Sequence, residues 1–286
     1  MSWSEMTFLQ KLGRVLSENG VVFLQGARDT LIVALVGTLF GCLIGFVVGI
    51  VQTIPLSRRD NAAKRIVVRV IQFILGAYVE IFRGTPMIVQ SMFIFYGWAM
   101  LTGKPMGVWP AALFIVSINT GAYMAETVRG GILSIDPGQT EGAKAIGMTH
   151  VQTMTAVILP QTLRSILPQI GNNLIINVKD TSVLFLIGFT ELFYRAKAAT
   201  GANYQYFATY TIIMVYYFVM TFVLSRLLRL LERRLAGSDS YDLATTDTLA
   251  HTSGSYSYPG KGSNFDERSK EYAHGVPAGK EEENHE

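Results

Sequence analysis

Residues 141–160 read EGAKAIGMTHVQTMTAVILP, and this stretch sets the interpretation of the whole chain. A short helix-forming run, Ala143 to Ile146, is followed by Gly147, and glycine favours the end of a helix. A second run then ends in Leu159-Pro160. Because the stretch lies between apolar segments of membrane length, it predicts a helix–glycine–helix elbow outside the membrane and not a span.

The composition indicates a membrane protein. Only 16% of the 286 residues are charged and 50% are hydrophobic, whereas a soluble domain carries roughly 25% charged residues. Four runs contain no Asp, Glu, Lys or Arg: residues 30–57, 84–103, 105–125 and 198–225. Each run is long enough to cross the ~30 Å hydrocarbon layer as a helix. The predicted fold class is therefore all-α and polytopic.

Basic residues flank the apolar runs unevenly, and this asymmetry predicts the topology. Residues 58–69 contain five Lys or Arg and a single acid, and residues 226–234 contain four Arg. Both segments are cytoplasmic by the positive-inside rule. We expect about five transmembrane helices within residues 28–236, with the N-terminus outside and both the elbow at 137–150 and the C-terminus in the cytoplasm. The predicted spans are approximately 30–53, 66–98, 108–132, 162–178 and 206–228.

Three further segments fall outside these spans. Residues 1–27 place several apolar side chains on one helical face, which fits either a helix in the membrane interface or a frayed terminus. Residues 179–200 are too short to cross, so we expect a re-entrant or extracellular segment. Residues 237–286 are rich in Ser, Gly and Thr and contain 10 acidic and 4 basic residues, a composition that predicts a disordered acidic cytoplasmic tail.

The first predicted span carries a ladder of glycines at intervals of four residues. They are Gly37, Gly41, Gly45 and Gly49. Small residues in this register lie on one face of a helix and let a neighbouring helix approach closely, which is how helices pack in lipid. The ladder predicts a tight helix–helix contact along this span.

Motifs for enzyme chemistry are absent from the sequence. There is no G-x-x-x-x-G-K-[ST] phosphate loop, no clustered His and Cys, and no G-x-S-x-G nucleophile motif. The basic excess lies beside the spans, so it does not indicate nucleic-acid binding. We expect no bound cofactor or metal, and a protein that is not an enzyme.

Charged residues inside the predicted spans are the remaining candidates for function. Glu80 and Arg83 are three residues apart, Glu126 and Arg129 repeat this spacing, and Lys179-Asp180 closes the fourth span. A charge in a span costs roughly 2.5–3.5 kcal/mol on insertion scales, so it usually faces a partner or a cavity. Two readings stay open: ion pairs that neutralise each other, or contacts with a substrate that carries both signs of charge.

Four motifs together resemble the permease subunits of polar amino acid ABC importers of the histidine, glutamine and arginine type. Residues 80–86 (EIFRGTP), 125–132 (AETVRGGI) and 178–182 (VKDTS) join the elbow, which is similar to the EAA loop of such permeases. The resemblance covers approximately residues 20–235. The chain departs from the EAA pattern at Gly142, where alanine is usual, and at Val157, where isoleucine is usual.

The resemblance implies a type I importer permease that moves a polar amino acid across the cell membrane by alternating access. A separate subunit would bind and hydrolyse ATP, a second permease subunit would complete a homo- or heterodimer, and an extracytoplasmic binding protein would deliver the substrate. It implies two groups of site residues. The expected substrate-binding residues are Lys179, Asp180, Arg83 and Glu126, and the expected ATPase-coupling residues are Glu141, Ala143 and Gly147.

Two alternatives belong to other functional classes. An ion-coupled secondary transporter would be expected to contain inverted repeats, and none is visible in the sequence. A membrane receptor or structural subunit would not need charges clustered within its spans. The sequence leaves open which amino acid is carried, whether the dimer is homo- or heteromeric, and whether the cell has one membrane or two.

Overall fold

The computed structural model describes residues 3–56 and 61–236, and all the regular secondary structure within these ranges is helical. Nine α-helices occur in the described part of the chain. They are α1 (Phe8–Gln52), α2 (Ala62–Gly84), α3 (Met87–Thr102), α4 (Val108–Leu133), α5 (Pro137–Ala145), α6 (His150–Thr153), α7 (Leu159–Asp180), α8 (Leu192–Asn203) and α9 (Tyr206–Ala236). A π-helical segment, Met154–Ile158, precedes α7, and a 3-10 segment, Thr181–Ile187, follows it. The predicted tail at 237–286 lies outside the described residues.

Helix α1 is continuous from Phe8 to Gln52, so no break occurs at residue 27, where the sequence suggested a separate N-terminal segment. A capping box starts the helix: Thr7 N donates to Gln10 Oε1 at 2.9 Å, and Gln10 N donates to Thr7 Oγ1 at 3.4 Å. Val15 and Phe23 are fully buried in a cluster with residues of α8 and α9. The first turns of α1 therefore belong to the helical bundle, because their apolar face packs on protein.

The glycine ladder packs against α4, and the predicted tight helix contact is confirmed. A Cβ atom on Gly41 would lie 2.5 Å from Thr120 Cβ, and one on Gly49 would lie 2.8 Å from the Ala125 carbonyl oxygen. Helices α1 and α4 run in the same direction, since the first ladder glycine faces Val116 and the last faces Val128. This parallel pair forms the centre of the bundle.

The second predicted span, at 66–98, is divided between two helices. Helix α2 ends at Gly84 and α3 begins at Met87, with Thr85 extended (φ −121°, ψ 146°) before Pro86. A residue that precedes proline is forced out of helical backbone conformation, which explains the break. The Gln90 side chain donates hydrogen bonds to the carbonyls of Phe82 and Thr85, both at 2.8 Å, and so satisfies the open end of α2.

Within the described residues, three helices are by themselves long and apolar enough to cross a membrane: α1, α4 and α9. A fourth span results if the segment His150–Ile187 and α8, which meet at 53°, are counted together. The short apolar helix α3 has 16 residues, and α2 carries several charges. The second of the five predicted spans is thus divided between a charged helix and a short apolar one.

Buried charges attach α8 to α1. Asp29 accepts hydrogen bonds from Arg28 at 2.8 Å and from Arg195 of α8 at 3.2 Å. Glu191 caps α8 by accepting from the Phe193 and Tyr194 amides and from the Tyr217 hydroxyl of α9. These contacts hold the segment that follows the VKDTS motif against α1 and α9.

Candidate functional site

The elbow is a closed turn between α5 and α6. Asp136 caps α5 by accepting from Gly138 N at 2.7 Å. At the other end of α5, Met148 N donates to Ala143 O and Gly147 N donates to Lys144 O, both at 3.0 Å. This is the Schellman arrangement, which requires a left-handed residue after the helix. Gly147 occupies that position with φ +83°, so the helix end predicted at this glycine is confirmed.

The second half of the elbow leads directly into α7. Thr149 and Gln152 form a capping box with hydrogen bonds of 2.8 and 3.3 Å. The π-helical segment and Pro160 follow. The Gln161 side-chain amide donates to Gln139 Oε1 at 3.3 Å, which joins the start of α7 to α5. The elbow is therefore connected to the bundle through both of its halves.

The three predicted coupling residues differ in exposure. Glu141 and Gly147 are exposed, whereas the Ala143 side chain is only 6% exposed and lies inside the turn. The most exposed apolar side chains of the elbow are Ile146, at 79%, and Val151, at 68%. Neither residue was predicted from the sequence as a site residue, although an apolar residue before the terminating glycine is a usable signal. The elbow thus presents two exposed apolar side chains in addition to the exposed carboxylate of Glu141.

Arg83, Glu126 and Arg129 form one charged group between α2 and α4. The Glu126 carboxylate lies 3.6 Å from the guanidinium of Arg83 and 3.6 Å from that of Arg129. All three side chains are between 40% and 46% exposed. Among the described residues no ion pair joins Glu80 to Arg83. The spacing of three residues between Glu80 and Arg83 in the sequence therefore does not identify the partner of Arg83, which is Glu126. Both distances exceed a charge-assisted hydrogen bond of about 2.7–2.9 Å, and the group carries one net positive charge.

Lys179 and Asp180 end α7 and occupy different surroundings. Lys179 is exposed and lines a cavity of about 240 Å³ between α7 and α9, together with Phe222 and Arg229. Asp180 is half-buried, and no hydrogen bond or ion pair to its carboxylate occurs within residues 3–56 and 61–236. The two side chains therefore form no ion pair with each other in this part of the chain.

The charged group around Glu126 and the pair Lys179-Asp180 lie at different depths of the bundle. Asn177 of α7 donates to Thr120 of α4, and the two helices are antiparallel, because Ile166 lies beside Gly131. Glu126 and Asp180 lie on opposite sides of that hydrogen bond and are separated by nine residues of helical rise, or roughly 13 Å. They are thus two separate positions along the axis of the bundle.

A buried amide network occupies the space between these positions. The Asn177 side-chain amide donates to Thr38 Oγ1 at 2.7 Å and to Thr120 Oγ1 at 2.9 Å. Asn119 donates to Gln90 Oε1 at 2.8 Å. The sequence analysis did not predict these contacts, although an amide within an uncharged apolar run is a signal of internal pairing. Within the described ranges, no group of three His, Cys, Asp or Glu could hold a metal ion.

The sequence matches the family model described as binding-protein-dependent transport system inner membrane component over residues 61–237, more than half of the chain. The chain belongs to this family. It is the transmembrane permease component of an ABC importer, and nothing in the comparisons favours an ion-coupled transporter. ATP hydrolysis takes place on a separate subunit, so this permease is not an enzyme. The family is a multi-pass inner-membrane family, and its members work with an ATPase and a binding protein.

Individual relatives align over most of their length. The glutamine transport system permease protein of Escherichia coli (strain K12) is 34% identical over 215 residues, which cover 75% of this chain and 93% of the relative. The arginine transport system permease protein of Bacillus subtilis (strain 168) is 32% identical over 216 residues, which cover 76% and 93%.

Solved structures show the same architecture. A crystal structure of an amino acid ABC transporter with histidines matches with a TM-score of 0.69 and 34% identity, and covers 80% of this chain and 99% of that chain. The methionine ABC transporter MetNI, in an inward-facing conformation, matches with a TM-score of 0.63 and 22% identity over 76% and 98%. At that identity the second match supports the fold alone. The predicted type I importer permease fold is confirmed.

Proposed function

We propose that this permease imports a polar amino acid and is driven by ATP hydrolysis on a partner subunit through the elbow at 137–150. The observation that carries this proposal is the exposed elbow, closed by its own turn hydrogen bonds, on a chain whose relatives are named glutamine and arginine permeases. Closure of the ATPase would move the elbows, and the bundle would rearrange between two accessible states. The relatives support a polar amino acid substrate, and they do not distinguish among amino acids.

The elbow is suited to insertion into a cleft of the ATPase. Ile146 and Val151 supply exposed apolar contact area, and Glu141 supplies an exposed charge. Ala143 acts from inside the turn, and the left-handed backbone of Gly147 sets the angle between the two halves. We place the elbow and the C-terminus in the cytoplasm and the N-terminus outside, because this orientation agrees with the basic segments at 58–69 and 226–234.

The substrate path follows α4 and α7. Asp180 would bind the cationic group of the amino acid, because its carboxylate is half-buried and makes no hydrogen bond or ion pair within the described residues. Arg83 would bind the carboxylate of the substrate. Glu126 can give up its contact with Arg83 for this purpose, since the two side chains lie 3.6 Å apart and are only loosely paired. Lys179 would contribute a positive charge near Asp180, in addition to the charge of Arg83 elsewhere on the path. The difference in depth makes these positions successive contacts along the path.

Two further partners complete the proposal. A second permease subunit, identical or related, would form the other half of the path, as one bundle leaves Arg83 and Glu126 partly open to solvent. An extracytoplasmic binding protein would deliver the amino acid on the side opposite the elbow. No cofactor is expected on this chain, because ATP would be bound by the partner ATPase.

Uptake of radiolabelled glutamine and arginine into proteoliposomes tests the proposal. The vesicles would contain the permease with its ATPase, with the binding protein added outside. We expect uptake that needs internal ATP and that falls roughly ten- to hundredfold in Asp180→Asn, the cost of losing a charged hydrogen bond. Glu18→Gln, which removes an exposed acid from the first turns of α1, is the control and should transport normally.

Three results would contradict parts of this proposal. Uptake driven by an ion gradient without ATP would identify a secondary transporter. Normal rate and apparent affinity in a normally expressed Asp180→Asn protein would remove Asp180 from the path. A loss of transport that follows the loss of folded protein would show that Asp180 serves stability only.

A further inference from the structure

The first three turns of α2, residues 62–73, project from the bundle with only one anchored side. Gln72 donates hydrogen bonds to the carbonyls of Val51, at 3.2 Å, and of Ile54, at 3.1 Å, and so attaches α2 to the end of α1. Leu75 and Val79 continue this side into a small apolar cluster. Away from this attachment, these turns are mostly exposed.

A second face of these turns combines exposed apolar and basic side chains. Residues Arg65, Ile66, Arg69, Val70 and Phe73 line one groove, which we call the α2 groove. The groove is centred about a third of a turn away from the side that is attached to α1. Phe73 is 77% exposed, and more than half of Ile66 and of Val70 is accessible. An apolar surface of this kind on a membrane protein is contacted by lipid or by another membrane protein.

The two arginines of the α2 groove are arranged for an anion. Arg65 and Arg69 are one helical turn apart and on the same face. No ion pair of either side chain occurs within residues 3–56 and 61–236, and residues 62–73 contain no Asp or Glu. Two guanidinium groups at this separation can donate several hydrogen bonds to one phosphate.

We propose that the α2 groove binds an anionic phospholipid, with its phosphate on Arg65 and Arg69 and an acyl chain along Phe73. The order of the residues matches the shape of such a molecule. Phe73 lies one turn, about 6 Å, deeper along α2 than Arg69, which is the direction from a headgroup toward the hydrocarbon layer. Long arginine side chains reach the headgroup level while their stems stay on apolar surface.

Charge argues against a second copy of this chain as the occupant of the groove. A two-fold contact through this face would place the same patch of both copies in one interface. That interface would contain four guanidinium groups and no acid from residues 62–73 of either copy. An anionic lipid neutralises the same charges, and each basic residue near an anionic surface contributes favourably to binding.

Lipid binding can be measured on the intact permease–ATPase complex in two ways. Native mass spectrometry of complex purified from nanodiscs with equal phosphatidylglycerol and phosphatidylcholine would report which lipid is retained. Benzoylphenylalanine in place of Phe73 would cross-link whatever covers the groove. We expect selective retention of phosphatidylglycerol, and cross-linking to phospholipid. The double variant Arg65→Gln/Arg69→Gln should lower the retained phosphatidylglycerol on the order of tenfold.

Two comparisons keep this proposal falsifiable. The Arg65→Lys/Arg69→Lys variant preserves the charge but not the guanidinium fork, and it should retain more phosphatidylglycerol than the glutamine variant. Arg164→Gln removes an exposed charge from α7 and should change nothing. A cross-link from position 73 to a second permease chain would overturn the proposal. Equal retention of the two lipids, or equal retention by wild type and the glutamine variant, would also overturn it.

Discussion

Single buried amides set how the central helices meet. Asn177 joins three helices, because its amide donates to Thr38 of α1 and to Thr120 of α4 from its own position on α7. Gln90 also joins separate helices, because its side chain donates to the Thr85 carbonyl at the break between α2 and α3 and accepts from Asn119 of α4. In a dry interior each such donor must find an acceptor, so these residues specify the relative height of the helices as well as holding them.

Asn177→Ala should therefore destabilise the bundle. The variant loses two hydrogen bonds and leaves both threonine hydroxyls without this donor, and we expect a loss of about 1–3 kcal/mol. Thermal unfolding of the detergent-solubilised protein, followed by intrinsic fluorescence, measures the change. Asn173→Ala is the matched control one turn away, since Asn173 is only half-buried and donates to the Gln169 carbonyl of its own helix and, at 3.4 Å, to the sulfur of Met124, which is a weak acceptor. Equal stability of the two variants would show that the network contributes nothing specific.

At the scale of elements, close approach and turn geometry depend on a few glycines. The ladder of α1 leaves no room for a Cβ atom along α4, whereas a Cβ on Gly13 of the same helix would have no atom within 4 Å. The elbow is different, because nothing lies within 4 Å of a Cβ on Gly147 and only its backbone conformation is special. The same residue type thus has a packing role in one element and a conformational role in another.

Gly41→Ala should weaken the contact between α1 and α4. The new methyl group would lie 2.5 Å from Thr120 Cβ, so the helices must separate, and overpacking of this kind costs about 1–3 kcal/mol. Gly13→Ala is the control on the same helix, where no atom lies within 4 Å, and it should be neutral or slightly stabilising. Unfolding temperatures of the two variants in one detergent provide the measurement. A destabilised Gly13→Ala together with an unchanged Gly41→Ala would contradict the packing of α1 on α4.

Gly147→Ala should distort the elbow without a steric clash. A residue other than glycine pays about 1–2 kcal/mol for the left-handed backbone at this position, so the Schellman turn should open in part of the molecules. We expect weaker co-purification of the ATPase and a lower transport rate at a normal membrane level. Gly142→Ala, at an exposed helical position with open space around it, is the control and should bind the ATPase normally. If both variants bind the ATPase as well as wild type, the turn is not required for coupling.

At the scale of the whole molecule, the positions of charges predict which end of the bundle faces the cytoplasm. The first turns of α2 follow a segment that carries excess positive charge, a second such segment lies at 226–234 near the end of α9, and Lys104 lies in the loop between α3 and α4. The positive-inside rule predicts that the elbow is inside and Lys104 is outside. The basic stretch at residues 58 and 59 lies outside the described residues, so this orientation rests on the sequence.

Cysteine labelling in intact cells can test the orientation. The single native cysteine would first be replaced in a Cys42→Ser background. We expect Lys104→Cys to react with a membrane-impermeant maleimide and Lys144→Cys, on the elbow, to react only after the membrane is opened. Both positions are exposed, so a difference in labelling reports the side of the membrane. The reverse pattern would place the elbow outside and remove it from any contact with a cytoplasmic ATPase.

The sequence alone predicted the features that depend on local chemistry. Uncharged runs long enough to span a membrane indicated an all-helical polytopic fold, and Gly147 marked the end of α5 because a left-handed turn needs glycine there. The ladder at Gly37, Gly41, Gly45 and Gly49 predicted a tight helix contact, since its regular spacing is enough to place the four on one face. Each of these inferences uses residues that are near one another in the chain.

Only the tertiary structure decided which distant residues meet. Spacing paired Glu80 with Arg83, but the fold pairs Arg83 with Glu126, because α2 lies across α4 at that level. It also separated Lys179-Asp180 from this group by depth, and it joined Asn177 to Thr38 across 139 positions of sequence. Pattern analysis finds residues that share one helix face, whereas partners on different helices depend on how those helices are oriented and shifted against each other. That arrangement is set by the packing of the whole bundle.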